Sequence, residues 1–391
     1  MAKKEENEFS AARKKRRFKI AVLRTKKFIG AILALAIVCG AVWLFVKEDV
    51  AGIIGDRIAA SSSSGASMPV EIAGTSVKET FTVGDNIGVL TDGNALLYAK
   101  NGKRLLSYAH GMTDPIVKSA GRRFLLYDRG GTKLVVRMRD KVLFEKEFDY
   151  KIISANISSD GWLTVVTAAQ RYASQLHVWN SAYDEEIFTW SSSGEYIICS
   201  AADSKSKTVA AATITANASG QMVTTVHVFT TEAAVELGKK DFSGEAAVSL
   251  EYNASGNVKL ICDSMAAVID RSGNVLGRFD FDRKLISCIN FHNAFGMALI
   301  FDRYTEARAT DVTFIGNRGE EIKTVSVSGK FLCANGDSSH AALYCDGEVT
   351  VFDYSGNKTA SLTSEQDALL ILLTKESVFA VTRDELCEVK K

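Results

Sequence analysis

The sequence predicts an all-β fold: a β-propeller of eight four-stranded blades, with seven the alternative, preceded by one transmembrane helix. Three observations carry this. Only 2 Pro stand beside 29 Gly in 391 residues, a balance that suits tight hairpin turns better than extended linkers. Short β-type runs return at a step of about 41 residues, the length of one four-stranded blade. One uninterrupted apolar stretch precedes all of them. With 47% hydrophobic and 24% charged residues the chain can fill a core. Whole-chain disorder, collagen-like repetition and a miniature disulfide scaffold are therefore excluded.

The net charge of +1 is a sum of opposites: residues 1–27 carry +8, residues 28–46 nothing, and residues 47–391 a net −7. Residues 1–27 read as a basic tail, with Arg13, Lys14, Lys15, Arg16, Arg17, Lys26 and Lys27 forming the topogenic cluster. Phe28 to Val46 is apolar or small throughout, which as a helix spans about 28 Å, close to a bilayer's hydrocarbon core. Trp43 lies near its far end, where an amphipathic ring favours the interface. The positive-inside rule then expects a cytoplasmic N-terminus and an extracytoplasmic remainder at the cell membrane, with lipid contacted through residues 28–46. A cleaved signal peptide fits less well, because Lys47-Glu48-Asp49 is no small-residue cleavage site. Residues 47–68 form a Ser-rich linker containing AASSSSGAS, and the propeller occupies residues 69–391.

Within the propeller, candidate strands centre on Tyr98, Val136, Trp179, Phe229, Ile269, Phe314, Phe352 and Leu386. Turn signals separate them, among them Asn101-Gly102, Asp160-Gly161, Ser272-Gly273-Asn274 and Ser355-Gly356-Asn357. Short runs ending in Asn, such as Ile153 to Asn156 and Phe331 to Asn335, suit strands converging on a crowded axis. The last unit supplies only three runs after residue 368. Its missing outer strand is expected from Val70 to Ala73, which closes the ring and removes both free sheet edges.

RRFLLYDRGG (Arg122 to Gly131), the run from Ile153 to Ser181 and EEIFTWSSSGEYI (Glu185 to Ile197) resemble the bacterial membrane-anchored proteins grouped as domain of unknown function 5711. The resemblance implies a basic N-terminus, one span, a linker and a propeller-like ectodomain in the envelope of Gram-positive anaerobes. It implies no active site.

Chemistry-bearing motifs are sparse. Six cysteines outside the span lie in apolar strand runs and read as buried thiols. Cys333 and Cys345, flanking a hairpin centred on Ser339, are the best-placed disulfide candidates. His177 and His227 each precede a strand's central aromatic by two residues in neighbouring blades, a spacing that would let them approach each other. No zinc, phosphate-loop, dinucleotide or nucleophile-elbow motif is present, so no catalytic residue, metal or cofactor is assigned. The basic run has no aromatic reading surface beside it, which argues against nucleic acid. The expected function is a non-catalytic module binding an envelope protein or cell-wall ligand. The alternative is a hydrolase or lyase with its site at the axial channel mouth.

Overall fold

The computed structural model describes residues 67–389 apart from 73–75, 283, 291–295, 304–308 and 365–366, together with Cys39, Gly55 and Ile58. The predicted tail and span, and the linker up to residue 66, otherwise lie outside the described residues. Among these residues no helix is long and apolar enough to cross a membrane. Gly65–Lys391 forms one compact unit.

After β1 (Val70–Glu71), the strands fall into four-stranded antiparallel blades in chain order. Blade 1 holds β2 (Val77–Val83), β3 (Asn86–Thr91), β4 (Asn94–Tyr98) and β5 (Arg104–Ala109). Blade 2 holds β6 (Pro115–Ala120), β7 (Arg123–Asp128), β8 (Lys133–Arg137) and β9 (Val142–Glu147). Blade 3 holds β10 (Ile152–Ile157), β11 (Leu163–Thr167), β12 (Ser174–Trp179) and β13 (Glu186–Ser192). Blade 4 holds β14 (Tyr196–Asp203), β15 (Thr208–Ala216), β16 (Met222–Thr230) and β17 (Val235–Ser243). Blade 5 holds β18 (Ala247–Tyr252), β19 (Val258–Cys262), β20 (Met265–Ile269) and β21 (Val275–Asp280). Blade 6 holds β22 (Ile286–Asn290), β23 (Met297–Arg303), β24 (Ala309–Ile315) and β25 (Glu321–Ser328). Blade 7 holds β26 (Phe331–Gly336), β27 (His340–Cys345), β28 (Glu348–Asp353) and β29 (Lys358–Thr363). Blade 8 holds β30 (Leu370–Leu373), β31 (Val378–Val381) and β32 (Glu385–Val389), and β1 completes it.

That completion is the expected closure: Val70 pairs with Leu386 and Glu71 with Glu385. The ring therefore has eight blades, and all eight predicted strand centres fall in the third strand of a blade. Each hydrophobic cluster draws its side chains from two neighbouring blades. Ile72, Ile87 and Tyr98 meet Leu372 and Phe379 across the closing interface. Burial falls outward: β3 is buried on both faces, whereas β5 and β21 alternate and show one face to water.

Five-residue turns make the hairpins tight. In Asp270–Asn274 the leading carboxylate accepts the N–H of Ser272 at 2.8 Å and of Asn274 at 2.9 Å. Asp353 does the same for Ser355 and Asn357, both at 2.9 Å. The fourth residue, Gly273 or Gly356, takes φ of +85° or +76°, the left-handed region that only glycine enters without strain.

Strand alternation sorts the connections onto two rims. The lower rim carries the turns joining first to second and third to fourth strands. The upper rim carries the loops joining second to third strands and each blade to the next. The first strand of every blade lies nearest the axis, and in blades 1 and 3–7 it bulges close to the upper rim. The bulged residues are Lys78, Ile153, Ile198, Val248, Ser287 and Leu332, where the pairing register skips one position.

Candidate interaction face

Buried polar clusters hold the upper-rim connections from below. Glu195, between β13 and β14, accepts Thr213 Oγ1 of β15 at 2.6 Å and faces His227 Nε2 of β16 at 2.8 Å. His227 Nδ1 lies 2.7 Å from Glu236 Oε1 at the head of β17. One imidazole so spans two carboxylates, and both ring nitrogens are satisfied as donors only in the doubly protonated form. Its ring lies parallel to Phe229 (9°), and Trp190 of blade 3 approaches with centroids 5.0 Å apart. Burial alone would raise the Glu195 carboxyl. The hydrogen bonds from Thr213 and His227 and the charges of His227 and Lys239 outweigh it and hold the group below the usual carboxylate range.

The next two connections are braced in the same way. Glu245, between β17 and β18, accepts Ser264 Oγ and, at 3.0 Å, Arg278 Nη2 of β21. Its backbone is pinned by Thr224 Oγ1, which donates to the Glu245 carbonyl at 2.7 Å and accepts the Ala247 N–H at 3.0 Å. Lys284, between β21 and β22, pairs at 3.3 Å with Asp311 of β24, whose side chain is fully buried and also accepts Ser326 Oγ at 2.7 Å.

Along the same rim the protein exposes large apolar side chains. Seven lie on the upper rim or at the axial heads of the inner strands: Tyr150, Tyr172, Tyr196, Val248, Leu285, Leu332 and Leu369. They supply at least one such residue to every blade from 3 to 8. Tyr196 is 61% and Leu285 72% exposed, and each directly follows a braced connection. The half-buried Glu195 and the buried Glu245 and Asp311 are bonded outward, to Thr213 and His227, to Ser264 and Arg278, and to Ser326, and do not converge on the axis. At the axial mouth, Glu79 is raised by desolvation against the lowering pull of Lys118 and the Val117 N–H.

His177 and His227 do not meet each other. Each closes on a glutamate nine residues later in its own hairpin, His177 on Glu186 at 2.6 Å. The parallel runs His177-Val178-Trp179 and His227-Val228-Phe229, each followed by that glutamate, were the available signal. Glu186 heads β13. Cys333 and Cys345 are free thiols, set opposite Tyr344 and Phe331, one position out of direct register. Lys259, buried on β19, donates to the Gly296 carbonyl at 3.3 Å and gave no sequence signal. Among the described residues no group of three His, Cys, Asp or Glu side chains is placed to hold a metal ion.

The fold has solved counterparts. The C-terminal WD40 domain of Sif2 is similar with a TM-score of 0.58 at 13% identity, over 84% of this chain and 99% of that one. BamB from Moraxella catarrhalis gives 0.47 at 12% identity, over 83% of this chain and 97% of that one. AztD from Citrobacter koseri gives 0.48 at 10% identity, over 76% and 88%. At such identities the likeness shows the fold alone. No curated protein matches the sequence. The profile of a family of unknown function, DUF5711, matches residues 63–390.

Proposed function

The chain therefore belongs to the DUF5711 family, and from that premise we propose that it is a single-pass, membrane-anchored bacterial protein whose extracytoplasmic propeller binds a cell-envelope protein through its upper rim, without catalysing a reaction. The observation carrying this is the gathering of exposed tyrosine, leucine and valine on one rim, with the connections into blades 4, 5 and 6 braced from beneath. Tyrosine supplies large, rigid, amphipathic contact area, and preorganised loops lower the ordering cost of association. The anchor and its orientation rest on residues 28–46 and the basic cluster before them.

Site-specific photocrosslinking in cells tests the binding role. A crosslinking amino acid at Tyr196 or Leu332 is expected to trap one discrete envelope protein, and Leu285→Ser to weaken the product. Absence of any discrete product from either position overturns the reading. Protease added to intact protoplasts tests the orientation: it should remove the propeller and spare the tail.

A further inference from the structure

The lower rim carries a different surface chemistry, and we propose that it rests on an anionic lipid bilayer. Its exposed large apolar residues are Val142, Val235, Leu237, Leu276 and Ile322, all at the heads of outer strands in blades 2, 4, 5 and 6. All are aliphatic, in contrast to the tyrosines of the upper rim.

The turns of blades 1 and 2 add positive charge. Lys103, Arg104, Arg122, Arg139 and Lys141 stand there against Asp85 and Asp140, while Lys100 is paired with Glu376 at 2.6 Å. Asp160, Asp184 and Glu185 of blade 3 separate this basic quarter from the aliphatic belt of blades 4–6, whose turns mix Lys205, Lys207, Arg271 and Arg318 with Glu232, Asp270 and Glu320. Aliphatic and long cationic side chains on one rim match a bilayer surface: the methyl groups enter the acyl boundary and the cations meet the headgroups.

Where the chain enters the ring selects this occupant. Gly102, in the turn between β4 and β5, lies against Ser67 and Val70, so the chain joins the ring on the lower rim and inside the basic quarter. The twenty residues from 47 to 66 separate that point from the apolar stretch ending at Val46. Even fully extended, twenty residues span at most about 70 Å. At that range the bilayer is always within reach of the rim. The tether argument rests on the proposed anchor, whereas the composition of the rim stands without it.

The test uses residues 67–391, which keep every described strand and the closing β1–β32 pair, in flotation with phosphatidylglycerol–phosphatidylcholine vesicles and with phosphatidylcholine vesicles. Binding is expected to the anionic vesicles, with loss at high salt. Arg104→Glu with Lys141→Glu should weaken it about tenfold or more, and Leu237→Ser with Ile322→Ser should weaken it at constant salt. Unchanged circular dichroism and melting show that each variant folds. Equal binding to both vesicle types, no binding, or insensitivity to the charge reversal overturns the proposal. So does equal competition by a soluble polyanion at matched charge, which would make the ligand an anionic polymer. Because the ring is tested without its anchor, failure here leaves the anchored, partner-binding reading standing, and protoplast proteolysis can fail independently of it.

Discussion

His227 shows how a single side chain can tie one blade to the next. Its removal leaves Glu195 and Glu236 facing each other in a partly desolvated space, which is worse than losing a hydrogen bond. His227→Ala is therefore expected to destabilise the ring by about 1–2 kcal/mol, read as a lowered denaturation midpoint at unchanged m-value. The same clusters set an acid limit. Glu186 is held below the carboxylate range by its hydrogen bond from His177, against burial, and Glu195 is likewise depressed. A depressed carboxyl contributes stability that is full above its ordinary value of 4.5 and disappears as pH falls through the lower folded value. Melting temperatures recorded from neutral to strongly acidic buffer should fall below that value, and Glu195→Gln should flatten the fall; an unchanged slope would contradict the assignment. Burial acts oppositely on the thiols. It pushes Cys199 and Cys333 up to about 12, far from the reactive thiolate. A thiol-reactive dye near pH 8 should leave the buried Cys333 unmodified in the folded ring and modify it in denaturant, and rapid reaction in the native state would count against its burial.

At the scale of the strand and turn, close backbone contact joins neighbouring blades. A Cβ at Gly238 of β17 would strike the Ser272 carbonyl in the blade 5 turn, and one at Gly277 of β21 would strike the Arg318 carbonyl in the blade 6 turn. Backbone cannot yield as a flexible side chain does. Gly238→Ala and Gly277→Ala are each expected to cost about 1–3 kcal/mol in chemical denaturation, while Gly93→Ala, which meets nothing within 4 Å, serves as the control. Equal stability of all three variants would show that these contacts do not hold the blades. This scale was also the most legible in the sequence. The third strands carry apolar residues at their centres and are flanked by polar or Gly-containing turns, so Trp179, Phe314 and their counterparts marked every blade. The bulges at Ile198, Val248 and Leu332 were hidden, because a skipped register looks like ordinary alternation until the partner strand is known. The Glu195–His227 brace was hidden for a related reason: its members are 32 residues apart and meet only when β14, β15 and β16 of blade 4 pair.

For the molecule as a whole, closure decides how eight similar units share stability. An open array of eight blades has seven neighbour interfaces and a closed ring has eight, so closure adds one interface without adding a blade. That interface is built from both ends of the described chain. Ile72, 1% exposed, packs with Ile87, Leu372 and Phe379, while β1 covers the outer edge of β32. The short pairing, two residues against the five of β32, gives β1 little hold through its ladder alone, so the side chain of Ile72 must supply much of it. Two variants separate these contributions. Ile72→Ala keeps the strand and deletes buried methyl groups, at an expected cost of about 2–4 kcal/mol with monodispersity retained. A chain beginning at residue 77 loses both, and should melt earlier still and associate with rising concentration, because the exposed edge of β32 becomes a template for another strand. Light scattering and calorimetry on the two proteins distinguish the cases. If the shortened chain melted like the intact one and stayed monodisperse, closure would be incidental to stability, and the blades would stand on their neighbour contacts alone.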